Sequence, residues 1–383
     1  MIGVIADDLT GAAELGAIGW RHGLRAEIVR NGKPGSGADL VCVDTDSRAC
    51  EPAAAAKRAA AAAKMLRAAG AIWIYKKVDS VLRGQVTAEI EAVMKQLKLS
   101  RALLLPANPS LGRTIRGGQY FVGGKLIHKT EFARDPHFPR RSAQVLQLLK
   151  VPNFFSLRVA NGDRALADGT IVIGDAATAA DVQGWTGSCD PQMLPAGGAE
   201  FFNALLGQKN FRAESGGRVA KKLSAGGEFF IVGTSTLAAR KFVVVERRKK
   251  TPVFSLPQEL AWGAVFSAAA VEAVTQRVVA ALALQPRVIL NVGLPPVRDA
   301  EVARCLSDHV VRVAARVLRQ LPAARVFAEG GATAAELVRR MGWARLEVVR
   351  ELAPGVATLA VGGDENFLLT IKPGSYAWPA QWT

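Results

Sequence analysis

The acidic pair Asp7-Asp8 follows an apolar run, Met1 to Ala6, whose Ile2, Val4 and Ile5 suit a buried strand. Thr10 and Gly11 then lead into Ala12-Ala13-Glu14-Leu15, a helix start with Thr10 as its expected cap. Two carboxylates therefore sit at the carboxyl end of a first parallel strand, the edge where open α/β sheets bind ligands. They either serve chemistry there or only cap the helix, and this stretch alone leaves both roles open.

A second cluster, KKVDSVLRG (Lys76 to Gly84), follows the strand ending at Tyr75 and crowds the same edge with Lys77, Asp79, Ser80 and Arg83. The Arg83 fork matches a carboxylate or phosphate bidentately, and a carboxylate accepts hydroxyl protons. The competing reading is an internal Asp79–Arg83 ion pair beside a Ser80 cap. Further on, NPSLGRT (Asn108 to Thr114) offers Arg113 and Thr114 after Gly112 as an anion-binding turn, or as a turn with a surface arginine. FARDP (Phe132 to Pro136) lies in the same irregular stretch.

The second half twice repeats strand, glycine turn, hydroxyl residues and helix: IVGTSTLAA (Ile231 to Ala239) and EGGATAAEL (Glu329 to Leu337). Free N–H groups at helix N-termini bind phosphate, so the two turns together suggest a nucleotide phosphate site. Neither is a Walker loop, and neither carries G-x-G-x-x-G. IKPGSYAWP (Ile371 to Pro379) ends the series with a lysine and a glycine placed to face a nucleotide, or with an ordinary turn.

The elements that must hold these groups read as alternating strands and helices. Strands are expected at Ala26 to Val29, Leu40 to Val43, Ile72 to Tyr75 and Ala102 to Leu105, with helices over Pro52 to Ala69 and Gln85 to Leu97. The pattern fails from Pro106 to Arg141, which reads as a long irregular functional loop. Periodicity is weak from Gly184 to Gly227, where a domain boundary is expected. A second series follows, with strands at Phe229 to Val232, Val253 to Ser255, Val288 to Asn291, Arg325 to Ala328, Leu346 to Val349 and a closing pair near Leu359 and Leu368 to Ile371. Helices over Ala264 to Leu284 and Arg298 to Leu318 fill the gaps. The expected fold class is α/β: two α/β domains with largely parallel sheets and a cleft between them.

At 383 residues, half of them hydrophobic, the chain supports two cores. No apolar run approaches the ~18 residues of a membrane span, and the start shows no signal-peptide pattern. Cys42, Cys50, Cys189 and Cys305 are scattered, which argues against zinc or a disulfide framework and fits a cytoplasmic protein. The formal charge of +16 is dispersed apart from Arg247-Arg248-Lys249-Lys250, and aromatics are sparse. The run reads as a solvated helix end, not a nucleic-acid or membrane surface, and the remaining charge suits an anionic substrate without choosing one.

With these pieces in order, the chain resembles the four-carbon acid sugar kinase family over nearly its whole length. The likeness rests on ADDLTGA, KVDSVLRG, the GRT to FARDP loop, VGTST, GGAT, ELAPGV and KPG. It implies a sugar-acid-binding domain over residues 1–220 and a nucleotide-binding domain over 221–383. The implied activity is phosphorylation of the terminal hydroxyl of threonate, erythronate or an oxo-tetronate, with ATP and Mg²⁺. Carried over by position, Asp8 and Asp79 are the candidate catalytic bases. Asp7, Ser80, Arg83 and Arg113 are expected to bind substrate, Arg83 by clamping its carboxylate. Thr234, Ser235, Thr236, Asn291, Gly330, Gly331, Ala332, Thr333 and Gly374 are expected at the nucleotide. Ala332 stands where the family usually has an acid, and no metal ligand is assigned. The partners implied are the sugar acid and ATP, and a homo-oligomer is left open. Two other readings remain: a catalytically silent sugar-acid sensor, and an aspartyl phosphohydrolase. The hydrolase chemistry wants D-x-D, whereas adjacent Asp7 and Asp8 tend to point apart.

Overall fold

The computed structural model describes residues 1–30, 32–135, 138–149, 156–160, 168–208, 227–257, 267–294, 300–321, 325–374 and 378. The chain divides into two compact units, Met1–Arg218 and Val219–Thr383.

Strands in the first unit are β1 (Ile2–Ala6), β2 (Ala26–Val29), β3 (Leu40–Asp44), β4 (Trp73–Lys77), β5 (Arg101–Leu105), β6 (Arg113–Arg116), β7 (Gln119–Val122), β8 (Lys125–Leu126), β9 (Ser156–Ala160), β10 (Thr170–Gly174) and β11 (Met193–Gly197). Its helices are α1 (Leu9–Arg21), α2 (Pro52–Ala68), α3 (Val86–Leu97), α4 (Val145–Leu148), α5 (Ala179–Thr186) and α6 (Ala199–Gln208). The main sheet runs β2-β3-β1-β4-β11-β5-β10-β9, every pairing parallel. The central strands β1, β3, β5 and β10 are largely apolar and buried, as strands covered by helices on both faces must be.

Direction of travel decides which face each helix takes. From β1 the chain crosses through α1 towards β2, whereas from β3 and β4 it crosses the opposite way through α2 and α3. Right-handed crossovers then put α1 on one face and α2 and α3 on the other. The packing agrees, with α2 against α3, and α1 against α6. The carboxyl end of β1 is therefore a point where neighbouring connections part, which opens a crevice above it.

The stretch expected to be irregular contains regular structure over residues 113–126. β6, β7 and β8 form an antiparallel ribbon whose turns are Gly117-Gly118 and Gly123-Gly124. All four glycines have positive φ (54°, 70°, 55° and 76°), as tight two-residue hairpin turns demand. The glycine density that masked this ribbon is its turn chemistry. Similarly, the segment of weak periodicity opens with β11 and α6, which belong to the first unit. Pro195 sits in β11, whose pairing with β4 is confined to Ala196 and Gly197.

The second unit contains β12 (Glu228–Val232), β13 (Val253–Ser255), β14 (Arg287–Asn291), β15 (Arg325–Glu329), β16 (Arg345–Ala353), β17 (Val356–Val361) and β18 (Asp364–Lys372). They lie in the order β13-β14-β12-β15-β18-β17-β16. The first five are parallel, and β18, β17 and β16 form an antiparallel meander. Helices α7 (Leu237–Arg248), α8 (Ala268–Leu284), α9 (Ala300–Gln320) and α10 (Gly331–Met341) connect them. On one side of this sheet Phe230 stacks on Phe327 at 4.2 Å and meets the Trp378 ring edge-on. Among the described residues no helix is long and apolar enough to cross a membrane.

Candidate active site

At the end of β1, Asp8 caps α1: its Oδ1 accepts from the Gly11 N–H at 2.8 Å. Thr10, the expected cap, lies two residues past the actual one, inside the helix, and its buried Oγ1 has no partner among the described residues. Capping leaves the second Asp8 oxygen free to do more. It accepts from Arg48 Nη1 at 2.6 Å, while Arg48 Nε and Nη2 fork onto Asp7 at 2.7 and 2.9 Å. Arg48 comes from the loop after β3, and its Nη1 also lies 3.8 Å from Asp79.

Asp79 follows β4 and is buried. Its Oδ2 accepts from the N–H groups of Val81 and Arg83, and Arg83 forks onto both oxygens at 3.0 and 2.8 Å. Arg83 Nη1 reaches Asp135 at 3.3 Å. The internal ion pair is therefore present, and the fork expected to clamp a substrate carboxylate is already engaged. Ser80 Oγ accepts from Arg113 Nη1, and the Arg113 guanidinium lies 6.0 Å from the Phe132 ring centroid. Gly84 needs its glycine, with φ at 87° and a notional Cβ 3.2 Å from Asp7 Oδ2.

Burial works against the charged form of both buried aspartates, yet the arginines prevail. Arg83 and Arg48 hold Asp79 well below the usual carboxylate range, and Arg48 lowers Asp7. Both stay ionised at neutral pH. Asp8 is the most open of the three, with 23% of its side chain exposed against 4% for Asp7 and 7% for Asp79.

In the second unit, the residues expected at the nucleotide meet at one sheet edge. Thr234, Ser235 and Thr236 follow β12, Asn291 ends β14, Gly330 to Thr333 follow β15, and Gly374 follows β18. Thr236 Oγ1 caps α7 and donates to the Gly374 carbonyl at 2.8 Å. A Cβ on Gly374 would lie 3.2 Å from Thr234, and one on Gly233 only 1.9 Å from Thr333 Oγ1. Gly330 has φ 105° and gives α10 no side-chain cap, so the first N–H groups of that helix keep their donor capacity. Asn291 is buried; its Oδ1 accepts from Ser255 at 3.0 Å, and its Nδ2 has no partner among the described residues.

Lys372 does not face this edge. It is fully buried, 2.9 Å from Glu329, whose other oxygen accepts from Trp378 Nε1 at 2.7 Å. The carboxylate nearest the glycine turn is thus engaged inside the fold. Among the described residues no group of three or more His, Cys, Asp or Glu can hold a metal ion.

Sequence reasoning did not single out Arg48 or Arg140, whose Nη1 donates to the Leu82 carbonyl at 3.3 Å, and it quoted Asp135 only within FARDP, without a role. The signal for Arg48 was a Thr-Asp-Ser-Arg turn at the end of β3, a strand adjacent to β1.

Comparison with known proteins agrees with this division. Residues 2–205 match a sugar-binding N-terminal domain and residues 230–376 a nucleotide-binding C-terminal domain. A D-threonate kinase of Bordetella bronchiseptica is 30% identical over 98% of this chain and 94% of its own. The chain belongs to the four-carbon acid sugar kinase family. It is accordingly a phosphotransferase with a nucleotide-binding second half. A 3-oxo-tetronate kinase of Pseudomonas fluorescens is 26% identical over 98% of this chain and 94% of its own. The match to a D-threonate kinase of Salmonella typhimurium, 35% identical, spans 38% of this chain and 35% of that protein. Among solved structures, a Salmonella typhimurium protein has the same fold with a TM-score of 0.82 at 20% identity, over 100% and 97% of the two chains. A Haemophilus influenzae protein follows at 0.73 and 21%, over 98% and 97%.

Proposed function

We propose that this member of the family transfers the γ-phosphoryl group of ATP to the terminal hydroxyl of a four-carbon sugar acid. The observation that carries the nucleotide half is the uncapped α10 N-terminus behind Gly330 and Gly331, with Thr234 and Gly374 packed beside it. Thr234, Ser235 and Thr236 supply hydroxyl and N–H donors to phosphate oxygens, and Gly331, Ala332 and Thr333 supply the first turn of the helix. Asn291 offers its unpartnered Nδ2 to the same ligand. Mg²⁺ arriving with ATP would neutralise phosphate charge, and among the described residues no cluster of carboxylates, thiols or imidazoles stands ready to hold it.

The acid lies against the β1 and β4 ends. Asp7, Ser80 and Arg83 shape its site, Arg83 by fixing Asp79. Asp8 serves as the base in preference to Asp79, whose charge is locked by two arginines. The substrate hydroxyl oxygen attacks the γ-phosphorus, its proton passes to Asp8, and ADP leaves. Positioning and charge stabilisation account for most of such catalysis. ADP release across a panel of four-carbon acids with ATP and magnesium tests the reading. Turnover with an acid supports it; a folded protein that binds acid and shows no turnover supports the silent sensor.

A further inference from the structure

The acid site holds four arginines, and they are not equivalent. Arg48 is taken by Asp7 and Asp8, and Arg83 by Asp79 and Asp135. Arg113 and Arg140 have no carboxylate within ion-pair distance among the described residues. Arg113 donates to Ser80 Oγ. Arg140 donates from Nη1 to the Leu82 carbonyl at 3.3 Å and from Nε to the Phe138 carbonyl at 2.8 Å. Both are therefore anchored on the same Ser80 to Leu82 turn. That turn is held in place by Asp79 on one side and by the Tyr120 hydroxyl, which donates to the Ser80 carbonyl, on the other.

Arg140 is the unusual one. It is 6% exposed, and only neutral carbonyls accept its hydrogen bonds. Burial draws its pKa below the ordinary guanidinium value even though Asp79 and Asp135 oppose the change. A buried cation without an anionic ligand is costly unless a ligand completes it. Its Nη2 has no hydrogen-bond partner among the described residues and is not sealed from solvent. A donor is therefore left over, beside the turn that carries Ser80.

We propose that Arg140, with Arg113 beside it, recognises the carboxylate of the acid substrate, while Arg48 and Arg83 act as fixed counter-ions of the aspartates. This rests on the kinase reading and assigns the acid-selecting role to a residue outside the Asp7-Asp8 and Asp79 to Arg83 motifs. The two pairs of arginines divide the work by contact. Arg48 and Arg83 set two positive charges against four carboxylates and are engaged by them, whereas Arg113 and Arg140 complete the charge balance with donors that no carboxylate occupies, and an incoming carboxylate meets those donors.

The test compares wild type with Arg140→Gln and Arg140→Lys, using the best four-carbon acid of the panel and the corresponding uncharged four-carbon polyol. Arg140→Gln should raise KM for the acid about ten- to a hundred-fold, the weight of a charge-assisted hydrogen-bond pair. KM for ATP and the melting temperature should hold, and preference for acid over polyol should fall by the same factor. Arg140→Lys, keeping charge without the fork, should fall between. An unchanged acid KM, or parallel loss on acid and polyol, overturns the assignment and leaves the kinase reading intact. Should wild type show no turnover, the kinase reading fails and calorimetric titration with the acids decides for Arg140. Binding by wild type that Arg140→Gln abolishes supports it; equal binding, or none by wild type, overturns it.

Discussion

Arg83 sets its Nε and Nη2 on the two oxygens of Asp79, a bidentate pair closed within one i to i+4 turn. Asp79 is 7% exposed at its side chain and Arg83 31%, so the pair is shielded mainly on the acidic side. Removing the cation would leave a buried carboxylate with two backbone N–H donors and Arg48, at 3.8 Å, as its one remaining ion-pair partner among the described residues.

Arg83→Gln should therefore destabilise the first unit by about 3 kcal/mol, in the range for breaking a buried pair. Arg83→Lys should recover only part, because the fork is lost. Denaturant unfolding measures both. A variant that unfolds like wild type yet binds acid poorly would make Arg83 the substrate clamp after all.

Asp44, at the end of β3, gives a pH dependence with a definite sign. Burial raises its pKa to about 7, outweighing Arg30, and its Oδ2 has no hydrogen-bond partner among the described residues. Its folded value exceeds the unfolded value of about 4, so the native state holds an extra proton between them. Stability from this group is complete below pH ~4, falls as pH rises towards ~7, and is flat above. Asp44→Asn should gain on wild type progressively from pH ~4 to ~7, by roughly 4 kcal/mol at most. A stability difference independent of pH would show Asp44 ionised throughout.

Gly233 tests the nucleotide turn. A Cβ there would stand 1.9 Å from Thr333 Oγ1 and 2.8 Å from Thr333 Cβ. Gly233→Ala should push α10 from the turn and raise KM for ATP about tenfold or more, with acid binding by the first unit retained. Thr333→Gly should restore much of the loss, whereas Thr333→Ala should not, since its Cβ remains in the way. Loss of acid and ATP affinity together would count against separate sites.

Much of this was legible because strand-then-turn motifs carry both fold and chemistry. Asp7-Asp8 and Asp79 to Arg83 follow apolar runs directly, as do Thr234 to Thr236 and Gly330 to Thr333. Their convergence on sheet edges follows from parallel topology alone. Arg48 and Arg140 were not legible, since each reaches the acid site from a loop about forty to sixty residues away from its partner and neither has a motif of its own. Lys372 misled for the opposite reason. It looks like a strand-end ligand, but its neighbour Glu329 draws it into the core. The glycine pairs at 117–118 and 123–124 were readable as hairpin turns, yet the surrounding prolines made the ribbon look like a loop.

The central claim is transfer of phosphate to the terminal hydroxyl, and phosphorus NMR of the product tests it most directly. With ATP, magnesium and the accepted four-carbon acid, a new phosphomonoester signal should appear, coupled to the two protons of a terminal CH₂ and growing in step with ADP. A signal coupled to a single methine proton would place the phosphate on an inner hydroxyl. Free inorganic phosphate alone, or no new signal from a folded protein that binds both ligands, would contradict the kinase account.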